Sequence, residues 1–196
     1  KHAEDEISVI NMALGASHAG VRTMIGTSGG GFSLMVEALG LAGITETPLV
    51  IVEAQRPGPA TGLPTWTEQG DLRFVMHAAQ GEFPRIIAAP GDHEECFYIA
   101  AQAFNWADQY QMPVIILTDK FLAESYKTVL PFDARKVRID RGQAVMSDAA
   151  LRRNKDYRRY KVTGNGISPR SVPGQKNGVY LANSDEHDEY GFSHEG

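Results

Sequence analysis

The sequence predicts an α/β fold: a doubly wound, mostly parallel, Rossmann-like sheet followed by an extended C-terminal tail. Three observations carry this. Short apolar runs alternate with stretches of helical periodicity across the first 130 residues, the pattern of strands joined by crossover helices. One run, Leu49-Val50-Ile51-Val52, is apolar on both faces, as expected where helices cover a parallel sheet on both sides. Turn-forming clusters follow the strands, at Gly29-Gly30-Gly31, Arg56–Pro64 and Pro90-Gly91-Asp92.

The elements follow in order. Residues 3–19 read as a helix, with Ile7, Ile10 and Leu14 on one face beside Ala13 and Ala16, and Gly20 permits a stop. Val21–Ser28 reads as a strand, the three glycines as a turn, and Phe32–Leu41 as the next helix. Pro48–Glu53 is a strand, and 67–78 a helix. Arg85–Ala89 is a strand, and a long helix follows with Phe97, Ala100, Ala101 and Phe104 on one face. Pro113–Thr118 is another apolar strand, and Phe121–Thr128 the last helix. Beyond Pro131 the chain turns charge-rich, with Arg152-Arg153 and Arg158-Arg159 as a basic cluster, then rich in Gly, Ser, Pro and Asn up to the acidic run Asp185–Glu189. The expected division is an α/β domain over 1–130 and a charged segment with an extended linker or arm over 131–196, with little core of its own.

Composition narrows the function. With 42% hydrophobic and 22% charged residues the chain reads as globular. A net charge of −5 gives no basic footprint for nucleic acid. No apolar run approaches the roughly 18 residues of a membrane span, and no signal peptide is visible. The single cysteine, Cys96, allows neither an internal disulfide nor four-cysteine ligation of an iron–sulfur cluster, and reads as a small buried helix residue. A reducing cytoplasm is the expected compartment. A start at Lys1 rather than Met leads us to expect further chain upstream.

The motifs are weak individually. The glycines at 29–31 match neither G-x-G-x-x-G nor G-x-x-x-x-G-K-[ST]. They leave two readings open, a tight βα turn or a close backbone approach to a ligand at a helix N-terminus. His187 among Asp185, Glu186, Asp188 and Glu189 reads as a flexible acidic tail rather than a metal site. His93, Glu94 and Glu95 read as residues favoured at a helix start.

Their combination is more specific. Glu6 precedes Gly15 by nine positions, and a strand then ends in Thr27-Ser28-Gly29-Gly30-Gly31. This resembles the pyrimidine-binding domain of thiamine-diphosphate enzymes. The stretches AEDEISVINMALGASHAG (3–20), PLVIVEAQRPGPATGLPT (48–65), GISPRSVPG (166–174) and EHDEYG (186–191) resemble, more narrowly, the α subunit of 2-oxoacid:ferredoxin oxidoreductases, the 2-oxoglutarate type above all. Ala60 stands where that family often has Ser. The family's Y-P-I-T-P-like loop, with its threonine near the substrate, and its further α/β domain fall outside these residues, so a portion of a longer subunit is expected.

The resemblance implies roles. Glu6 is the expected acid on ring nitrogen N1′ of the cofactor's aminopyrimidine, a role that asks for a carboxyl able to hold a proton near neutral pH. Read from the residues alone, Glu6 is rather a solvated acid beside Glu4 and Asp5. Ser28, Gly29 and Gly30 are expected against the cofactor. Arg56 leaves the end of a parallel strand, where open sheets place ligands, and is expected to grip the substrate carboxylate, a contact worth roughly 1.5–3 kcal/mol. Thr61 and Thr65 are expected to add hydroxyl contacts. No metal ligand is expected in this chain. G-D-G and Asn-Asn are absent, so Mg²⁺, the diphosphate end and a [4Fe–4S] cluster are expected on a β subunit. Coenzyme A, ferredoxin, a 2-oxoacid and an (αβ)₂ assembly complete the expectation, without nucleic acid or membrane. A non-oxidative thiamine enzyme half and a non-catalytic bracing subunit remain as alternatives.

Overall fold

A computed structural model describes residues 2–142 and 144–195. The elements are α1 (Glu6–His18), β1 (Met24–Ser28), α2 (Gly30–Ile44), β2 (Leu49–Gln55), α3 (Leu72–His77), β3 (Ile86–Ala88), α4 (His93–Tyr110), β4 (Pro113–Asp119), α5 (Lys120–Glu124) and α6 (Asp148–Arg153), with a 3₁₀ turn at Ala134–Lys136. Among the described residues β1, β2, β4 and β3 form, in that order, one parallel sheet.

The sheet is covered on both faces, as the apolar run in β2 requires. Leu49 and Ile51 pack with Ile115 and Leu117 of β4 against Ile10 and Leu14 of α1, Phe32, Met35 and Leu39 of α2, and Val75 of α3. Val50 points the other way and packs with Val114 and Ile116 against Ala103 and Ala107 of α4. Alternation along one strand thus feeds two cores, and the doubly wound architecture follows.

The boundaries differ from the sequence expectation for identifiable reasons. α1 starts at Glu6 rather than residue 3, because Asp5 takes the N-cap and its carboxylate accepts from the Ser8 amide at 2.7 Å. α2 starts within the glycine turn, at Gly30, and runs on to Ile44. β2 extends to Gln55, since Ala54 and Gln55 still pair with Thr118 and Asp119. α3 does not begin until Leu72. Gln69 donates to the Asp119 carboxylate at 2.6 Å and the Asp71 amide to Gln55 Oε1 at 2.9 Å, holding this stretch on the sheet end in a non-helical path. Cys96 is half-buried rather than buried, on α4.

Residues 131–142 and 144–195 are largely irregular; the first stretch meets Tyr98, Asn105 and Asp108 of α4, and the second lies against the C-termini of α1 and α2. The Arg170 guanidinium donates to the Ser17 carbonyl at 2.6 Å. Arg159 donates to the carbonyls of Thr45 at 3.2 Å and Glu46 at 2.9 Å, and to the Glu46 carboxylate at 2.7 Å. Cations belong at these ends, where helix carbonyls lack partners and the dipole is negative. Arg159 is 2% exposed, so one of the four arginines of the basic cluster is buried. His187 is also not a solvated tail residue. Its Nε2 lies 3.1 Å from the Ile44 carbonyl and its ring 3.8 Å from that of Tyr160. Leu151 is fully buried.

Candidate functional site

The site is built where β1 and β2 end. Thr27 faces Glu53 and Ser28 faces Ala54 across the two strands, and the chain then turns through Gly29 into α2. Each glycine of the turn makes room for a different neighbour. Gly29 has φ 60° and ψ −124°, a conformation glycine adopts freely. A Cβ there would lie 2.6 Å from Arg56 Nε, so the arginine side chain passes directly over the turn. A Cβ on Gly30 would meet the Ala60 carbonyl oxygen at 3.4 Å. A Cβ on Gly31 would lie 2.7 Å from Glu6 Oε1 and inside contact distance of the Thr27 hydroxyl. The first helix therefore delivers Glu6 to the far side of the same turn that Arg56 crosses.

Glu6 owes its placement to the Asp5 cap. As the first helical residue it projects from the N-terminus of α1 and is half-buried. Ser28 is used internally, its hydroxyl donating to the Ala54 carbonyl at 2.7 Å. Arg56 is half-buried, its Nε is buried without a hydrogen-bond partner, and no ion pair among the described residues includes it. A partly desolvated guanidinium with no counter-charge is costly unless a ligand supplies one. The loop beyond Arg56 is closed by the Leu63 amide donating to the Pro57 carbonyl at 3.1 Å. Thr61 and Thr65 lie in this exposed loop. The structure thus brings Glu6, Gly29, Gly30 and Arg56 around one turn, while the two threonines stand on its solvent side.

One residue escaped the sequence reading. Glu53 is 1% exposed on β2. Its Oε1 accepts the Gly29 amide at 2.7 Å, while its Oε2 is buried without a partner. Burial pushes its pKa up to about 8; the Gly29 amide and Arg56 pull it down, and Asp71 pushes it further up. The signal was present as an acid closing a continuous apolar run just before a Gly/Pro loop, and a strongly perturbed acid in a cleft marks a functional candidate. The Cys96 thiol, half-buried on α4, is pushed up by burial and by Asp92 and Glu95, which keeps it protonated and weakly reactive. Among the described residues no group of three or more His, Cys, Asp or Glu side chains is arranged to hold a metal ion.

The chain is similar to known proteins in sequence and in fold. Residues 1–195 match the family described as pyruvate flavodoxin/ferredoxin oxidoreductase, thiamine diphosphate-binding. The α subunit of 2-oxoacid:ferredoxin oxidoreductase 1 from Sulfurisphaera tokodaii is 49% identical over 192 residues, 96% of this chain and 29% of that subunit. The 2-oxoglutarate synthase subunit KorA from Methanothermobacter thermautotrophicus is 41% identical over 148 residues, 76% of this chain and 39% of that protein. The chain therefore spans less than a third of the length of the S. tokodaii subunit. Among solved structures, 2-oxoglutarate:ferredoxin oxidoreductase from Magnetococcus marinus, with 2-oxoglutarate, coenzyme A and succinyl-CoA bound, superposes with a TM-score of 0.90 at 39% identity, covering 98% of this chain and 33% of that one.

Proposed function

The chain belongs to the pyruvate flavodoxin/ferredoxin oxidoreductase thiamine-diphosphate-binding family, and from that premise we propose that it is the pyrimidine-binding portion of the α subunit of a 2-oxoacid:ferredoxin oxidoreductase, with 2-oxoglutarate as substrate. The observation that supports this reading is the convergence of Glu6 and Arg56 on opposite sides of one glycine turn. The residues suit the cofactor: Gly31 leaves Glu6 room to reach the turn, and Arg56, with a buried Nε that lacks a hydrogen-bond partner, crosses its other side. Thiamine diphosphate, when bound, supplies the electron sink for 2-oxoacid decarboxylation.

The chain's own residues have separate tasks. Glu6 would meet ring nitrogen N1′ of the pyrimidine through its carboxyl and serve as the acid there. Gly29 and Gly30 let the backbone approach the ring closely. Ser28, its hydroxyl committed to Ala54, contributes backbone to that wall. Arg56 takes the substrate carboxylate through two parallel hydrogen bonds and so orients the 2-oxo carbon. Thr61 and Thr65 add hydroxyl donors from the loop. A β subunit contributes Mg²⁺, the diphosphate contacts and a [4Fe–4S] cluster, in an (αβ)₂ assembly in the cytoplasm. 2-Oxoacid, coenzyme A and oxidised ferredoxin give acyl-CoA, CO₂ and reduced ferredoxin. No helix among the described residues is long and apolar enough to cross a membrane.

The test is ferredoxin reduction by the full-length α subunit assembled with its β subunit. E6Q is expected to lower kcat about 100-fold or more with thiamine diphosphate at saturation, the scale of lost acid–base catalysis. Wild-type turnover by E6Q removes the assignment. R56A is expected to raise KM for 2-oxoglutarate at least about tenfold.

A further inference from the structure

Glu53 has no part in the expected chemistry, yet it is the most deeply buried acid near the site. We propose that Glu53 is a positioning residue: by clamping the Gly29 amide it fixes the turn over which Arg56 lies, and so sets where the guanidinium meets the substrate carboxylate. This rests on the substrate role given to Arg56 above.

Three contacts meet at Gly29. Its N–H donates to Glu53 Oε1 at 2.7 Å, and its α-carbon faces Arg56, where a Cβ would lie 2.6 Å from Nε and 3.0 Å from Cγ. Its φ of 60° combined with ψ −124° is a backbone conformation that disfavours residues other than glycine. Its carbonyl accepts from the Phe32 amide of α2 at 3.2 Å, so the amide is its remaining backbone handle, and Glu53 takes it. The second carboxyl oxygen has no partner although it is fully enclosed. A buried carboxylate with an unpaired oxygen is strongly penalised, whereas the neutral acid is tolerated. The charged groups acting on it, Asp71 before α3 and Arg56 at the end of β2, oppose one another, and burial dominates. At neutral pH Glu53 therefore holds Gly29 without drawing Arg56 into an ion pair. The guanidinium keeps its charge for the substrate. A lysine, or a permanently ionised acid, would fail at one of these two tasks.

The proposal makes the site sensitive to pH in a defined direction. As pH rises past about 8, Glu53 ionises and competes with the 2-oxoacid for Arg56.

The experiment uses the full-length α subunit in complex with its β subunit, with four proteins: wild type, R56A, E53A and E53Q. E53A is expected to raise KM for 2-oxoglutarate about tenfold with kcat much less affected, and E53Q, which keeps an acceptor for the amide, to recover most of that loss. Hydrogen exchange at the Gly29 amide reads the clamp without turnover; E53A accelerates it, and E53Q restores protection. Between pH 7 and 9 the wild-type KM is expected to rise while that of E53Q stays flat. Superimposable wild-type and E53Q profiles overturn the proposal, as does unchanged Gly29 exchange in E53A. If E53A fails to assemble, the pH profiles of wild type and E53Q decide alone. If R56A leaves KM unchanged, the substrate reading of Arg56 fails. If R56A raises KM and the Glu53 variants behave as wild type, only the role of Glu53 fails.

Discussion

Two side-chain placements make separate demands on solution behaviour. Gly31 lies within α2, where alanine would ordinarily favour the helix by about 0.5–1 kcal/mol. Its Cβ would nevertheless push Glu6 Oε1 and the Thr27 hydroxyl aside. We expect G31A to keep a melting temperature close to wild type while losing about 100-fold or more in turnover, the cost of displacing the acid proposed to serve the cofactor; parallel calorimetry and ferredoxin-reduction assays of the full-length complex check this, and a fully active G31A would refute it. Glu53 makes a different demand. An unfolded glutamate ionises near its ordinary value of 4.5, whereas the folded one keeps its proton to about 8. Between those values the folded chain binds a proton that the unfolded chain has released. Stability therefore falls as pH rises through this window, by up to about 1.4 kcal/mol per pH unit from this one group, and levels off above it. Urea titrations at several pH values should show that slope diminished in E53Q; parallel slopes would sink the linkage. Glu6, the glycines and Arg56 were legible in the sequence because each sits in a short local pattern. Glu53 was not, because its meaning depends on a neighbouring strand's register and on the Gly29 amide 24 residues away.

At the level of elements, the strands and long helices were readable because two-faced apolar runs and helical periodicity are local signals. Their ends were less so. Side chains from elsewhere decide them, as when Gln55 and Asp119 hold residues 69–71 out of α3. The C-termini of α1 and α2 show the same dependence. Their carbonyls are met by Arg170 and Arg159, which composition alone places in a linker and a basic cluster. Removing Arg159 leaves the carbonyls of Thr45 and Glu46 and the Glu46 carboxylate without their cation. We expect R159A to lose about 2–4 kcal/mol in urea denaturation, the scale of breaking a largely buried charged network. A loss below about 0.5 kcal/mol, the scale of an ordinary surface change, would mean that water replaces the arginine at little cost.

Across the whole molecule, the irregular segment is attached by polar contacts and by scattered buried side chains rather than by a strand or a long helix. Leu151 is fully enclosed, Tyr160 is 6% exposed, and Val172 packs on Gly20, where a Cβ would meet it at 3.0 Å. A chain ending at Leu130 retains all four strands described but loses these contacts. We expect it to melt at least about 5 °C below the 196-residue chain; equal melting temperatures would show that the segment adds no stability to the sheet. The arginines also set an order in time. Arg159 reaches back 114 residues to Thr45, and Arg170 reaches back 153 to Ser17. On the ribosome the strands and their helices emerge first, with the two helix ends still wetted. Those ends dry only when Arg159 and Arg170 have cleared the exit tunnel, so a nascent chain stalled or released before that carries a formed sheet whose helix ends stay open to solvent and to chaperones.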